Sequence, residues 1–540
     1  MSISADSVLG RFNRAELFWL VPITLLILAL AAIPYLVAYQ SQTPDLLFSG
    51  SIFNRSDTAV HHAAMQLGAN GEWAYKLRFT AEPQEGAFIK MGYIYLGQLS
   101  RLLPQNHPAA IIQAYHFFGA LLGILACLCL YFLVAQIFAG TRLRRFAFAL
   151  GFLGSGAGWL QLILNYLPDA RISPIDFWLI DAYPFFGLMI LPHFMLLIAL
   201  MSLMWATYLS YLRRTAWFKI AIAIAAALLM QTISPLTPAL ATAAIAGSWM
   251  VGMRRVQARS WPHGSGALIV IGLSQVPLLA YNLLVLRTDP SFILLSDALE
   301  VWTPPVTYLV WGFLGFWPLV ILGIVACIKR PEPGPAGALV WLIFGVLMAY
   351  NPWFVQRRWL LAITIPMAIL SVYGAQIIIR PWLQKRFSAH TLRWQAPLAL
   401  LFVSGLMLSN TYQVLGYALV AKARPSGLFD PAERVEAVDW LGERADRDAV
   451  VLASEQTAWL VASRTDLVGF LGSPFETLNY EAKTQQAADF FTGHSAPGWV
   501  KEAGIDWVIV EVPATPAEVF ARQAPVFDNG VVAIYEVGNE

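Results

Sequence analysis

Long apolar runs recur along this chain and constrain its fold more than any other feature. Runs able to cross about 30 Å of hydrocarbon occur at 17–39, 109–139, 146–166, 184–212, 217–233, 235–253, 266–286, 305–328, 337–350, 359–379 and 394–416. Of the residues, 58% are hydrophobic and 13% charged, against roughly a quarter charged in soluble proteins. Mean hydropathy is +0.60. So much apolar surface does not fit inside a water-soluble core, so lipid is the expected solvent for most of the chain. The expected fold class is an α-helical polytopic membrane protein with about eleven transmembrane helices and a small soluble α/β domain at its C-terminus. The runs at 217–233 and 337–350 are short. Ser234, Pro235 and Pro238 mark either a tight outer turn or a kink between the fifth and sixth runs.

Charge placement orients the runs. Basic residues crowd alternate loops: Arg142, Arg144 and Arg145; Arg213, Arg214 and Lys219; Arg254, Arg255 and Arg259; Lys329 and Arg330; Arg380, Lys385, Arg386 and Arg393. With Arg11 and Arg14 they define one side, which the positive-inside rule makes cytoplasmic. The intervening short loops hold far fewer, namely Arg171, Arg287, Arg357 and Arg358. An eleven-helix count satisfies every loop and predicts a cytoplasmic N-terminus and an extracytoplasmic C-terminal domain in a plasma-membrane protein. The run at 17–39 is too long for a signal segment and lacks a small-residue cleavage site, so it reads as a retained first span.

The chain divides into a membrane domain, 1–423, and an outer-face domain, 424–540. Between the first two spans, the loop 41–108 is unusually long and therefore expected to be functional. Within it 57–67 reads as an interfacial helix, and Trp73, Tyr93 and Tyr95 suit the headgroup zone. In the tail, 431–444 reads as a helix with Val435, Val438 and Leu441 on one face. Strand-like runs at 449–453, 466–471, 506–512 and 530–536 and a polar helix near 480–492 complete a small α/β unit, with Trp440 and 450–452 expected in its core. Cys127, Cys129 and Cys327 lie in apolar runs and read as small buried hydrophobes. No pattern suggests nucleic-acid binding.

The spans are almost free of interior ionisable residues, which counts against a proton-coupled pump. Unusual polar residues gather at outer helix ends: Asp57, His61, His62, Asp176, Asp181, His193, Arg287, Gln356, Arg357 and Arg358. Asp57 suits either a helix cap or a general base accepting a hydroxyl proton, with His61 one turn beyond. An Asp and a His four apart could also bind a divalent metal, but two ligands are a weak signal, and no cofactor is expected. Arg357 and Arg358 stand on the side the positive-inside rule disfavours. They either snorkel to headgroups or hold a phosphate through paired N–H bonds. His193 reads as an interface histidine or a ligand, and Asp176 and Asp181 as loop charges or site residues.

At these residues the chain resembles the GT-C glycosyltransferases, multi-spanning enzymes that use lipid-phosphate-linked sugars, and within them the bacterial set related to mannosyl- and aminoarabinose-transferases. The resemblance rests on the overall layout and on 53–71, the stretch 173–194 ending in Pro192-His193-Phe194, Gln356-Arg357-Arg358 and Phe475-Glu476-Thr477. It implies a sugar moved, with inversion, from a polyprenyl-phosphate donor to a glycan, lipid or protein acceptor on the outer face. Asp57 then matches the catalytic acid of the first outer loop, although many members carry paired acidic residues there and this chain has Asn54 and Ser56 beside a single Asp. His61, Asp181, His193, Gln356, Arg357 and Arg358 are the expected substrate-binding residues, with an arginine offsetting charge on the departing lipid phosphate. Asp57 and the arginine pair are expected at one lipid-accessible cavity, roughly 8–15 Å apart, the size of one sugar plus hydrogen-bond distances.

A ligase moving whole glycans from lipid pyrophosphate would need the arginines more than the acid. A transporter or flippase would instead show broken helices and midplane polar sites, and a silent scaffold would use only its tail. The topology is open to test by cysteine labelling with a membrane-impermeant reagent. Cysteines placed near residues 70 and 460 should both react from outside while one near Arg142 does not. Labelling of only one of the first two overturns the eleven-helix arrangement.

Overall fold

The computed structural model describes residues 14–104, 109–164, 173–255, 261–293, 301–352, 355–387, 395–496, 498–511 and 524–538. Arg11, Arg171, Arg259 and Arg393 lie outside the described residues. Each of the eleven apolar runs falls on helix, as expected where lipid offers the backbone no hydrogen-bond partner. Five helical stretches are long and apolar enough to cross a membrane: Ala15–Gln40, Ala110–Ile137, Pro192–Arg213, Gly264–Thr288 and Arg357–Arg386. A sixth forms if Val306–Gly312 and Trp317–Lys329, bent by 95° at their junction, count as one span. Trp217–Ile233 and Pro333–Met348 are shorter apolar helices. The run at 146–166 is also interrupted, into Thr141–Leu153 and Gly158–Ile163.

By its internal contacts the chain forms two compact units. The first, helical unit comprises residues 1–32, 119–281 and 300–416. Small residues let its helices approach closely. A Cβ added at Gly337 would meet the Ala244 carbonyl at 2.5 Å and the Ser248 hydroxyl at 2.4 Å, and one at Gly247 would meet the Ala336 carbonyl at 2.7 Å. Thr237–Arg255 and Pro333–Met348 therefore pack backbone to backbone, the usual device where no hydrophobic effect drives helices together. Trp205 donates from its indole to Ser248 at 2.9 Å and seals that seam. Where the charged ends begin, buried Glu16 receives Arg144 at 2.8 Å and the Tyr131 hydroxyl at 2.8 Å.

The second unit joins residues 33–118 and 282–299 to the tail, 417–540. Strand β1 (Leu46–Phe48) of the first loop pairs antiparallel with β2 (Phe429–Pro431) at the start of the tail. The tail then builds a five-stranded sheet from β3 (Val450–Leu452), β4 (Val468–Gly469), β5 (Trp507–Glu511), β6 (Phe527–Asp528) and β7 (Val532–Glu536), in the order β4-β3-β5-β7-β6. β4, β3 and β5 run parallel, and β7 and β6 are antiparallel additions. Ala432–Gly442 buries Val435, Val438 and Leu441 against Val451, Ile509 and Ile534. Trp440 packs at the edge of that core, its ring 5.0 Å from Phe527. Glu455–Arg464, a helix the apolar pattern does not announce, is capped by the Ser454 side chain accepting from the Thr457 amide.

First loop and tail are held together by paired charge. Arg55, 8% exposed, meets Asp430, 1% exposed, at 2.5 Å, and Arg434 bridges Asp430 to Glu511. Arg78 binds Asp448 and the carbonyls of Asp466 and Leu467, while Lys483 reaches Glu82 at 2.7 Å and Thr80 at 3.1 Å. Removing one member of a buried pair leaves the other charge uncompensated. Asp430→Ala is therefore expected to destabilise this unit by about 3 kcal/mol, read as a lowered unfolding midpoint of the detergent-solubilised protein. An unchanged midpoint would show that the pair does not hold the unit.

Candidate active site

Asp57 sits in the first turn of the helix Arg55–Ala69, whose N-cap is Asn54 in a left-handed conformation (φ 44°). The helix begins two residues before Asp57, so the cap position expected of Asp57 belongs to Asn54, whose side chain makes no capping bond. Its carboxylate, 35% exposed, faces His61 Nε2 at 3.8 Å; negative charge there is favoured by the helix dipole. His61 stacks on Tyr93 with ring centres 4.1 Å apart and planes within 18°, and Tyr93 stacks in turn on Tyr115. Tyr93 is buried, its ring forming the wall behind His61. Trp73 is 58% exposed, near Tyr95. His62 points the other way, into the core beside Ser463 and Tyr115, and its burial favours the neutral imidazole.

Another polar cluster of the same unit centres on Glu476. The Tyr75 hydroxyl donates to Glu476, which is 2% exposed, and Lys90 Nζ lies 3.0 Å from the same carboxylate. Burial raises the Tyr75 phenol well above its ordinary pKa, and the charges of Glu476 and Asp57 add to the effect. The tail motif Phe475-Glu476-Thr477 therefore places its carboxylate among first-loop residues.

In the helical unit the second cluster forms around Asp181. Its carboxylate, 2% exposed, accepts a hydrogen bond from Arg358 Nη1 at 2.8 Å and forms an ion pair with Arg357, whose Nε lies 3.3 Å away. The Asp181 carbonyl accepts the amide of Ala362 at 2.8 Å. Ala362 itself is left-handed (φ 52°), a strained conformation at the break between the turn Arg357–Leu360 and the helix Thr364–Gly374. One buried anion thus fixes two cations, whose side chains stay 33% and 35% exposed. Arg358 lies 5.3 Å above the ring of Phe194, which packs edge-on against His193. Gln356 is a strut: its side-chain oxygen accepts from the Thr303 amide and its NH2 donates to the Asn351 carbonyl. The structure therefore brings Asp181, His193, Arg357 and Arg358 together, with Gln356 bracing the loop, and holds Asp57 and His61 in the other unit. Among the described residues, no three His, Cys, Asp or Glu side chains group as metal ligands.

Asp176, the remaining acid of the 173–194 stretch, is 1% exposed and accepts the Gly158 amide at 3.0 Å. A Cβ at Gly156 or Gly158 would collide with its carboxylate, so these two glycines are what admit it. Burial pushes this carboxyl up to about 6 from 3.8. In the unfolded chain the proton leaves first, so stability falls as pH rises from about 4 to about 6, by on the order of 3 kcal/mol. Asp176→Asn, which keeps the acceptor oxygen without the charge, should flatten the pH dependence of the unfolding midpoint over that window. An identical pH slope in the variant would rule Asp176 out as its source.

No protein-family model matches the chain, nor does any curated protein sequence. Solved structures do match. ArnT from Cupriavidus metallidurans, solved in the apo state, superposes with a TM-score of 0.51 at 13% identity over 96% of this chain and 98% of that one. The same protein bound to undecaprenyl phosphate gives 0.51 at 12% identity, over 95% and 98%. The oligosaccharyltransferase AglB from the archaeon Archaeoglobus fulgidus, in complex with an inhibitory peptide and a dolichol-phosphate, gives 0.51 at 13% identity, over 92% of this chain and 70% of that one. With its helical unit and small C-terminal sheet, the chain has the GT-C membrane fold that these proteins share.

Proposed function

We propose that this protein is a membrane glycosyltransferase that takes its sugar from a polyprenyl-phosphate donor and passes it to an acceptor on the outer face of the membrane. The observation that carries the reading is the Asp181-braced arginine pair: two guanidiniums, one buried counter-charge, and a third of each cation still exposed. Such a pair, still partly exposed, offers guanidinium N–H groups to a phosphate, the geometry in which arginine excels. Fold likeness to one protein solved with undecaprenyl phosphate and another solved with a dolichol-phosphate supports the same ligand class here.

In this reading Asp57 takes the proton of an acceptor hydroxyl as its oxygen attacks the anomeric carbon. The bond from that carbon to the lipid phosphate breaks, its electron pair stays on the phosphate, and the configuration inverts. Arg357 and Arg358 offset the charge that grows on the departing phosphate. His61 is placed to orient Asp57, and His193 lies beside the arginine pair through Phe194. Transfer of a preassembled glycan is the second reading, favoured by the equal likeness to AglB; the near-complete coverage of ArnT favours the first.

Purified protein in lipid nanodiscs, given radiolabelled polyprenyl-phosphate sugar, should release the sugar to acceptor or to water. Asp57→Asn is expected to lower turnover by about 100-fold or more with unchanged donor binding. Arg357→Ala or Arg358→Ala should weaken binding of undecaprenyl phosphate as well as turnover. Wild-type protein that neither binds the lipid phosphate nor turns the donor over would overturn the assignment.

A further inference from the structure

The tail carboxylate Glu476 does not contact solvent, and nothing in the proposed reaction uses it. Two first-loop groups converge on it, the Tyr75 hydroxyl and Lys90 Nζ. Each is held from its own side. Tyr75 exchanges both main-chain hydrogen bonds with Ala87, at 2.8 and 3.0 Å. Lys90 adopts a left-handed backbone (φ 51°), costly for a lysine, immediately before the helix Gly92–Ser100. Its ammonium lies 5.2 Å from the Tyr75 ring centre. The helix that Lys90 introduces carries Tyr93, the ring on which His61 stacks, and His61 faces Asp57. A continuous line of contacts within this unit thus leads from the tail to the acid of the first loop.

We propose that Glu476 is a positioning residue for Asp57: from the tail it pins Lys90 and Tyr75, and through them it fixes the His61–Asp57 pair and the charge around it. The tail is then part of the acid site rather than a cover over it. This inference deepens the proposed reaction and rests on Asp57 as its base. Asp57 faces His61 on its own helix, whose ring stacks on Tyr93, and its charge bears on the Tyr75 phenol, which with Lys90 meets Glu476 from the tail; Arg55 and His62 lie on the same helix as Asp57. Opposite charges near a carboxylate move its titration in opposite senses. Taking away the Glu476 charge leaves the Lys90 cation unopposed and favours ionised Asp57; taking away Lys90 does the reverse.

The test reads Asp57 directly, so it does not depend on sugar transfer. A water-soluble carbodiimide couples only to the protonated carboxyl, and mass spectrometry of the full-length protein in nanodiscs reports coupling at Asp57 as pH is varied. Glu476→Gln should move the coupling midpoint down by roughly half a pH unit and Lys90→Met should move it up by a similar amount. In the transfer assay Glu476→Gln should lower kcat and shift the acidic limb of the rate profile the same way, with KM for the lipid donor little changed, and Glu476→Asp should recover part of the loss. Shifts of the same sign, or an unmoved midpoint in either variant that stays monodisperse, would overturn the positioning role. Should Glu476→Gln not fold, Lys90→Met alone decides it by its upward shift or the lack of one. Wild-type protein without transfer activity but with these opposed shifts would sink the enzymatic reading and leave the positioning role standing.

Discussion

Charge removed from water is tolerable only when it is paired, and that constraint organises each unit of this protein. In the helical unit Glu16 is buried against Arg144, and Asp181 against two arginines. In the other unit Arg55 and Asp430 meet in near-complete burial, and Glu476 is enclosed with Lys90 and Tyr75. These pairs join segments far apart in the chain, so each acts as a staple as well as a neutralised charge. Between them the contacts are those of lipid-adapted packing, small residues and close backbones, as along Gly247 and Gly337.

The Asp181 cluster differs from the others in its exposure. Asp430 and Asp181 each meet two guanidiniums, but those of Arg55 and Arg434 are largely buried, whereas those of Arg357 and Arg358 stay partly exposed. Ala362, Gln356 and Phe194 brace the turn that carries the two guanidiniums. On the first loop Asp57 is a partly exposed carboxylate beside His61.

Much of the helical architecture was legible in the chain, because apolar run length is a local property and lipid leaves the backbone few alternatives to a helix. Breaks inside those runs were less legible. The 95° bend after Gly312 and the interruption near Gly154 occur within sequence that is apolar on both sides, and only contacts with neighbouring helices reveal them. Ser155 donates to the Leu406 carbonyl, and a Cβ at Gly154 would strike Phe316; neither partner is near in sequence. In the tail the long strands and the apolar-faced helices stood out by periodicity. The helix Glu455–Arg464 did not, since its apolar face is short and its polar face is rich, and the three-residue pairing of β1 with β2 carries almost no local signal.

By itself the sequence determined that the chain belongs in a bilayer, that polar chemistry gathers at helix ends and in the first long loop, and that Asp57, Arg357 and Arg358 are unusual where they stand. These are consequences of hydrophobic run length and charge scarcity, which neighbours in the chain suffice to display. Tertiary structure decided what each polar residue does. It made Asp181 the counter-ion of both arginines, Arg358 lying 177 residues away, turned Gln356 into a strut, set Tyr93 behind His61, and brought Glu476 from the tail into the first loop across 401 residues. Pairing of buried charge depends on which groups the fold brings within about 3 Å of one another, and no pattern along the chain encodes that distance.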